Sequence, residues 1–216
     1  MNCEDFHIRP RLPEQFGGIQ QVAYVVENIE EGARYWRDQE GVAPFLMCRN
    51  ISPFTKGSFR GSPCSDVIIN VGFSYIRGMQ LELIEVCSPP PSIYHEALES
   101  YGLNVHHYAV HTSTFSRTYR WALENGYKAV LESGIDGLAR MSYLEHDNHD
   151  FVIELIELNS LTHPYFEGIE NRWNELDPSD GNADLDIMKL TKRSLVFRSL
   201  LKLAAKSMLG QIDKTR

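Results

Sequence analysis

Four residues able to bind a metal stand at matching places in two copies of one pattern. Gln21 lies in the run Gln20-Gln21-Val22-Ala23-Tyr24-Val25-Val26, and Glu82 in Leu81-Glu82-Leu83-Ile84-Glu85. His107 lies in His106-His107-Tyr108-Ala109-Val110-His111-Thr112, and Glu154 in Ile153-Glu154-Leu155-Ile156-Glu157. The two openings align at an offset of 86 and the two acidic endings at an offset of 72, so the second copy has the shorter middle. Residues two apart on a strand share a face. In each copy a polar residue therefore interrupts an apolar face: Glu82 beside Ile84, His107 beside Ala109 and Glu154 between Val152 and Ile156. Burying Glu82 and Glu154 is costly unless a cation answers them. Neither strand contains Lys or Arg, and one divalent metal would answer both carboxylates. Glu85 and Glu157 fall on the opposite face and are expected to meet solvent.

The elements that must position these residues follow from periodicity and punctuation. Ile19 to Val26 reads as a buried strand. Asn28 is a plausible N-cap; Ile29, Ala33 and Trp36 recur at helical spacing, and Gly41 ends the helix. A strand is expected at Phe45–Ile51 and a long loop at Ser52–Asp66, with Val67–Tyr75 and Gln80–Cys87 as a hairpin turned at Arg77-Gly78. The first copy is thus β-α-β-β-β, and the second repeats it: strand at Val105–His111, helix at Phe115–Asn125, strands near Lys128–Glu132, Ala139–His146 and Phe151–Leu158. Neither copy can bury its own apolar face alone, so the two must pack together. The division expected is a leader over 1–16, a first module over 17–87, a connector over 88–104 with a short helix near Tyr94–Tyr101, a second module over 105–158, and an extension over 159–216. In the extension, residues 159–186 read as acidic and turn-rich. Residues 187–209 read as a basic amphipathic helix carrying Leu195, Leu200 and Leu203 among Lys189, Lys192 and Lys206, packed on the domain, on a partner or at a membrane surface.

Composition bounds the function. The chain has 216 residues, 43% hydrophobic and 23% charged, ordinary for a globular protein with a real core. A net charge of −8 gives no reason to expect nucleic acid. Cys3, Cys48, Cys64 and Cys87 form no CxxC or zinc-finger spacing. The first residues have no apolar signal region, and no apolar run approaches the roughly 20 residues of a transmembrane span. The expected address is the cytoplasm, with free thiols.

These repeats resemble the vicinal oxygen chelate superfamily, which includes glyoxalase I, methylmalonyl-CoA epimerase, extradiol dioxygenases and bleomycin-resistance proteins. The resemblance covers about residues 17–158. It is strongest toward the epimerase and glyoxalase branches in GGIQQVAYVVENIEEGARYWRDQEGVAPF, GLNVHHYAV and FVIELIE. It implies an α+β fold of paired βαβββ modules in a curled mixed sheet around a central metal and substrate cavity, here with a C-terminal helical extension. It places the metal ligands at Gln21, Glu82, His107 and Glu154. Gln21 departs from the epimerases, which carry histidine there, and matches one type of glyoxalase I. Two carboxylates, an imidazole and an amide suit one Zn, Ni, Co or Mn ion. The implied activity is that of a lyase, isomerase or epimerase moving a proton beside a carbonyl through a metal-chelated enediolate. The substrate would be a small molecule with adjacent oxygens and the assembly a homodimer. Glu154 is the first candidate base, on the condition that it can leave the metal. Asp66 is the second, at the place of the epimerases' catalytic glutamate. A non-catalytic binding protein of the bleomycin-resistance type is the alternative from another class, and an extradiol-type dioxygenase is third. Around this set, His111 shares the His107 face and either lines the cavity or is structural; His106, His146 and His149 are weaker. Arg60 and Arg140 are candidates for an anionic substrate group, and Phe54, Phe59, Phe73 and Tyr75 for an apolar pocket wall.

Overall fold

The computed structural model describes residues 12–53, 56–64, 67–99, 104–135, 139–160, 162–179 and 181–185. The first module comprises β1 (Gln21–Val25), α1 (Ile29–Glu40), β2 (Leu46–Ile51), β3 (Lys56–Phe59), β4 (Ser62–Cys64), β5 (Ile69–Ile76) and β6 (Met79–Val86). After α2 (Ile93–Glu99) the second comprises β7 (Val105–Thr112), α3 (Phe115–Glu124), β8 (Lys128–Ile135), β9 (Ala139–Glu145) and β10 (Val152–Glu157). Helix α4 (Thr162–Asn174) and β11 (Ala183–Asp184) follow.

One open mixed sheet runs β11-β2-β5-β6-β1-β7-β10-β9-β8-β3-β4. Each module closes on itself through a parallel pair, β1 with β6 and β7 with β10, and the modules join through antiparallel β1 and β7. The expected fold is therefore the observed one, and the two modules pair within a single chain. Local chemistry explains the elements. Asn28 Oδ1 accepts from the Glu31 amide at 3.0 Å, and Gly41 ends α1 in the left-handed region at φ 69°. Arg77 and Gly78 take φ 50° and 81°, the pair that a tight hairpin with native twist needs.

Helices α1 and α3 cover one face of the sheet, over separate clusters built around Leu81 and Leu83 and around Leu144 and Leu155. Phe16, read as part of a polar leader, is buried in the second of these against Trp121 and Tyr127. The other face carries the four ligand candidates and packs against Tyr94 of α2, Ile169 of α4 and Leu185.

Two expectations are corrected. The span 52–66, read as a loop, contains the β3–β4 hairpin, and β3 pairs with β8 of the second module. The span 159–186, read as turn-rich, contains α4. Asn159 and Thr162 exchange backbone-to-side-chain hydrogen bonds of 2.9 and 3.1 Å at its start, and Tyr165, Ile169 and Trp173 pack on the site face. The basic helix expected at 187–209 lies outside the described residues.

Candidate functional site

The sheet register explains how the polar side chains meet. Glu82 and His107 stand on either side of Ala23, and Gln21 and Glu154 on either side of Ala109. Both alanines are fully buried. A methyl group between two longer side chains leaves room for them to lean together. His107 Nε2 lies 3.4 Å from Glu82 Oε2 and 3.2 Å from Glu154 Oε2. His107 is 0% exposed and Glu154 5%.

Gln21 is buried on the same face but is engaged elsewhere. Its Nε2 donates to Gln80 Oε1 at 2.9 Å, and Gln80 Nε2 donates to the Tyr75 hydroxyl at 2.7 Å. The structure thus brings three of the four proposed ligands into contact and ties the fourth into an amide chain beside them. Asp66 and Phe54 lie outside the described residues. Glu157, expected in solvent, is ion-paired with Arg140, and Glu85 accepts a hydrogen bond from Asn70. Arg60 is clamped by Glu96 and Glu145. His149, expected to be solvated, is half-buried, stacked on Phe151. His111 lies against Phe166 of α4, ring centroids 4.1 Å apart.

Sequence reasoning ranked one contributor too low and missed two others. The first is His106. The β1–β7 register shifts at Ala23/Tyr24, where Tyr24 opposes Val105 while Ala23 opposes His107, so His106 is an extra residue in its strand. Such a bulge breaks alternation and re-aims side chains. The two imidazoles meet Nδ1 to Nδ1 at 2.9 Å. The other two are Tyr143, opposite Glu154 in the β9–β10 register, and Tyr94 from α2, their hydroxyls 3.2 Å apart. Only tertiary structure brings Tyr94 here.

Charge in this pocket is strongly coupled. Burial works against a charged His107, but Glu154 and Glu82 outweigh it and push the imidazole up to about 9. Burial pushes the Glu82 carboxyl up, against the pull of His107. Burial opposes the Glu154 carboxylate too, yet His107 holds it below its ordinary value, with the Tyr143 hydroxyl adding to the effect. Burial, and then His107, hold His106 well below the ordinary imidazole range. One neutral imidazole thus stands beside one charged imidazole, so His107 donates from Nδ1 to His106 and presents Nε2 to the carboxylates.

Among the described residues no group of three or more His, Cys, Asp and Glu side chains forms a preformed metal cage. The donor set nevertheless fits a divalent ion. Ligands about 2.1 Å from one ion stand about 3.0–3.4 Å apart at octahedral to tetrahedral angles. The two His107–carboxylate separations, 3.4 and 3.2 Å, fall in that range. His107 Nε2 is buried and makes no well-aligned hydrogen bond. To take an ion there it must give up its proton.

No protein-family model matches the chain, and no curated protein matches it in sequence. Among solved structures, hypothetical protein BH1468 from Bacillus halodurans C-125 superposes with a TM-score of 0.50 at 14% identity, covering 66% of this chain and 95% of that one. Methylmalonyl-CoA epimerase from Mycobacterium tuberculosis gives 0.49 at 16% identity over 68% and 91%. A Streptomyces coelicolor methylmalonyl-CoA epimerase in complex with 2-nitronate-propionyl-CoA gives 0.48 at 16% identity over 66% and 95%. At these identities the likeness is one of fold, and about a third of this chain lies beyond it. The likeness bears out the expected α+β fold of paired βαβββ modules in one mixed sheet.

Proposed function

We propose that the chain is a metal-dependent lyase or isomerase of the epimerase type, moving a proton at a carbon beside a carbonyl. The observation that carries this is the convergence of His107 with Glu82 and Glu154 at 3.4 and 3.2 Å on a buried sheet face. His107, Glu82 and Glu154 would hold the ion, with Gln21 joining through its Oε1 while Gln80 keeps its amide nitrogen. A divalent ion bound there supplies Lewis acidity toward two adjacent substrate oxygens and so acidifies the neighbouring C–H.

The residues of the chain do the rest. Glu154 is the base: the Tyr143 hydroxyl favours its ionised form, and on leaving the ion its carboxylate would accept a proton from carbon and return it. His106 fixes the His107 tautomer through the 2.9 Å contact. Tyr94, Tyr143 and α4 exclude water, which strengthens every charge interaction inside.

The test is metal content. Gently purified protein, analysed by elemental mass spectrometry, should carry about one divalent ion per chain, lost in Glu154→Ala. A chain that stays metal-free even after reconstitution with Zn, Ni, Co or Mn overturns the reading. In that case His107 is a protonated core histidine between two carboxylates. The engagement of Gln21 with Gln80 then favours the second reading, a small-molecule-binding protein without catalysis.

A further inference from the structure

A cavity of about 680 Å³ opens beside the buried donors, at the ends of the central strands. Its walls include Val25, Ile93, Val105, Phe151 and Val152. It adjoins the site through two residues. Val152 opposes His107 in the β7–β10 register and lies two positions before Glu154 on the same face. His106 lines the cavity and holds the His107 imidazole at 2.9 Å. His106 is 9% exposed, and its Nε2 makes no hydrogen bond.

The charge around the cavity is one-sided. Among the described lining residues the carboxylates are Glu96, Glu145 and Asp150, and the single cation is Arg60. Arg60 Nη2 already lies 2.8 Å from both Glu96 Oε2 and Glu145 Oε1. An anionic ligand would have to take the guanidinium from two carboxylates and leave them facing its own charge. A phosphate-bearing tail is therefore disfavoured, while an uncharged apolar body finds matching walls in Val25, Ile93, Val105, Phe151 and Val152.

We infer that this cavity binds the substrate and that the substrate is a compact, uncharged molecule with an apolar body and adjacent oxygens, not a phosphorylated or coenzyme A conjugate. The adjacent oxygens rest on the proposed function; the cavity and its charge selection do not.

The experiment is a ligand-observed NMR titration of the full chain, as purified and after chelator treatment, with metal content measured on the same samples. The probes are mandelamide, mandelate of the same shape but anionic, and coenzyme A. Mandelamide should bind chelator-treated protein at least about tenfold more tightly than either anion. Val152→Trp, which fills the cavity, should abolish that binding without changing the ion count; Ala97→Trp, on the α2 wall, serves if the first variant does not fold. Equal or tighter binding of coenzyme A or mandelate overturns the inference, as does mandelamide binding indifferent to both fillings. If the protein holds an ion and mandelamide does not bind, the inference falls and the metal reading stands. If no ion is held but mandelamide binds and the fillings abolish it, the cavity stands and the metal reading falls.

Discussion

In the first half of the sheet Gln21 sits against Gln80, and the amide chain ends on Tyr75. In the second half the equivalent position, His107, sits against two carboxylates and a second imidazole. The strand plan is the same and the alanines at Ala23 and Ala109 are equivalent, yet one position is neutral and the other carries charge. The difference is register. The bulge at His106 exists only in the second half, and it places an imidazole where it can accept from His107. The halves also treat their outer edges differently. The edge strand β2 of the first is covered by the short β11, whereas the edge strand β8 of the second is covered by the β3–β4 hairpin inserted in the first. Each edge is thus covered by a segment from outside its own module, which leaves the short β11 and β4 as the sheet's edges.

If charge is what distinguishes the halves, removing it should do more damage than removing an amide. His107→Leu leaves Glu82 and Glu154 buried without a cation and should cost metal-free protein about 3–5 kcal/mol. Gln21→Leu leaves only the Gln80 carbonyl oxygen without its donor and should cost about 1–3 kcal/mol. Urea denaturation of both variants in chelator decides it. Equal losses would mean that His107 is neutral in the folded chain and that the comparison is one of packing alone.

The two-module fold was legible because alternation, helical spacing and the internal repeat agree. The meeting of Glu82, His107 and Glu154 was legible because a carboxylate on a face shared with Val152 and Ile156 is costly to bury without a partner. The hairpin at Lys56–Cys64 was not: Gly57, Gly61, Ser58, Ser62 and Pro63 read as loop, and only β8 gives the segment a strand to pair with. Helix α4 carries a readable signal, Tyr165, Ile169 and Trp173 at a spacing of four, but the acidic and turn-forming residues of 159–186 mask that stripe. His106 was misjudged because alternation assumes a regular strand, and no residue type announces a bulge.

A pH series sharpens the same contrast with a smaller effect. The folded His107 imidazole is raised to about 9 because Glu154 and Glu82 outweigh burial, while an unfolded histidine titrates near 6.5. A group raised on folding stabilises fully below its unfolded value, and that contribution is lost as pH rises through its folded one. Metal-free protein should therefore lose urea resistance between about pH 6.5 and pH 9. The alkaline limb should persist in Gln21→Leu and vanish in His107→Leu. A limb that survives His107→Leu belongs to another group and breaks the assignment of charge to the second half.

The smallest effect expected is at Arg60, where the insertion from the first half reaches across the second. Its guanidinium ties Glu96 of α2 to Glu145 of β9, and two residues before each stand Tyr94 and Tyr143, whose hydroxyls meet. The Arg60 side chain is 45% exposed, so solvent screens the pairs, and Arg60→Gln should cost at most about 1 kcal/mol, less in high salt. The informative readout is local. Amide exchange in α2 should quicken in the variant while β6 and β7 stay protected, because the clamp holds the helix and not the sheet. A global loss as large as that of His107→Leu would make the clamp, and not the buried charge, the main tie at the site. Unchanged exchange in α2 would mean that the Tyr94–Tyr143 contact and the packing of Ile93 hold the helix unaided, leaving the hairpin only its part in closing the β8 edge.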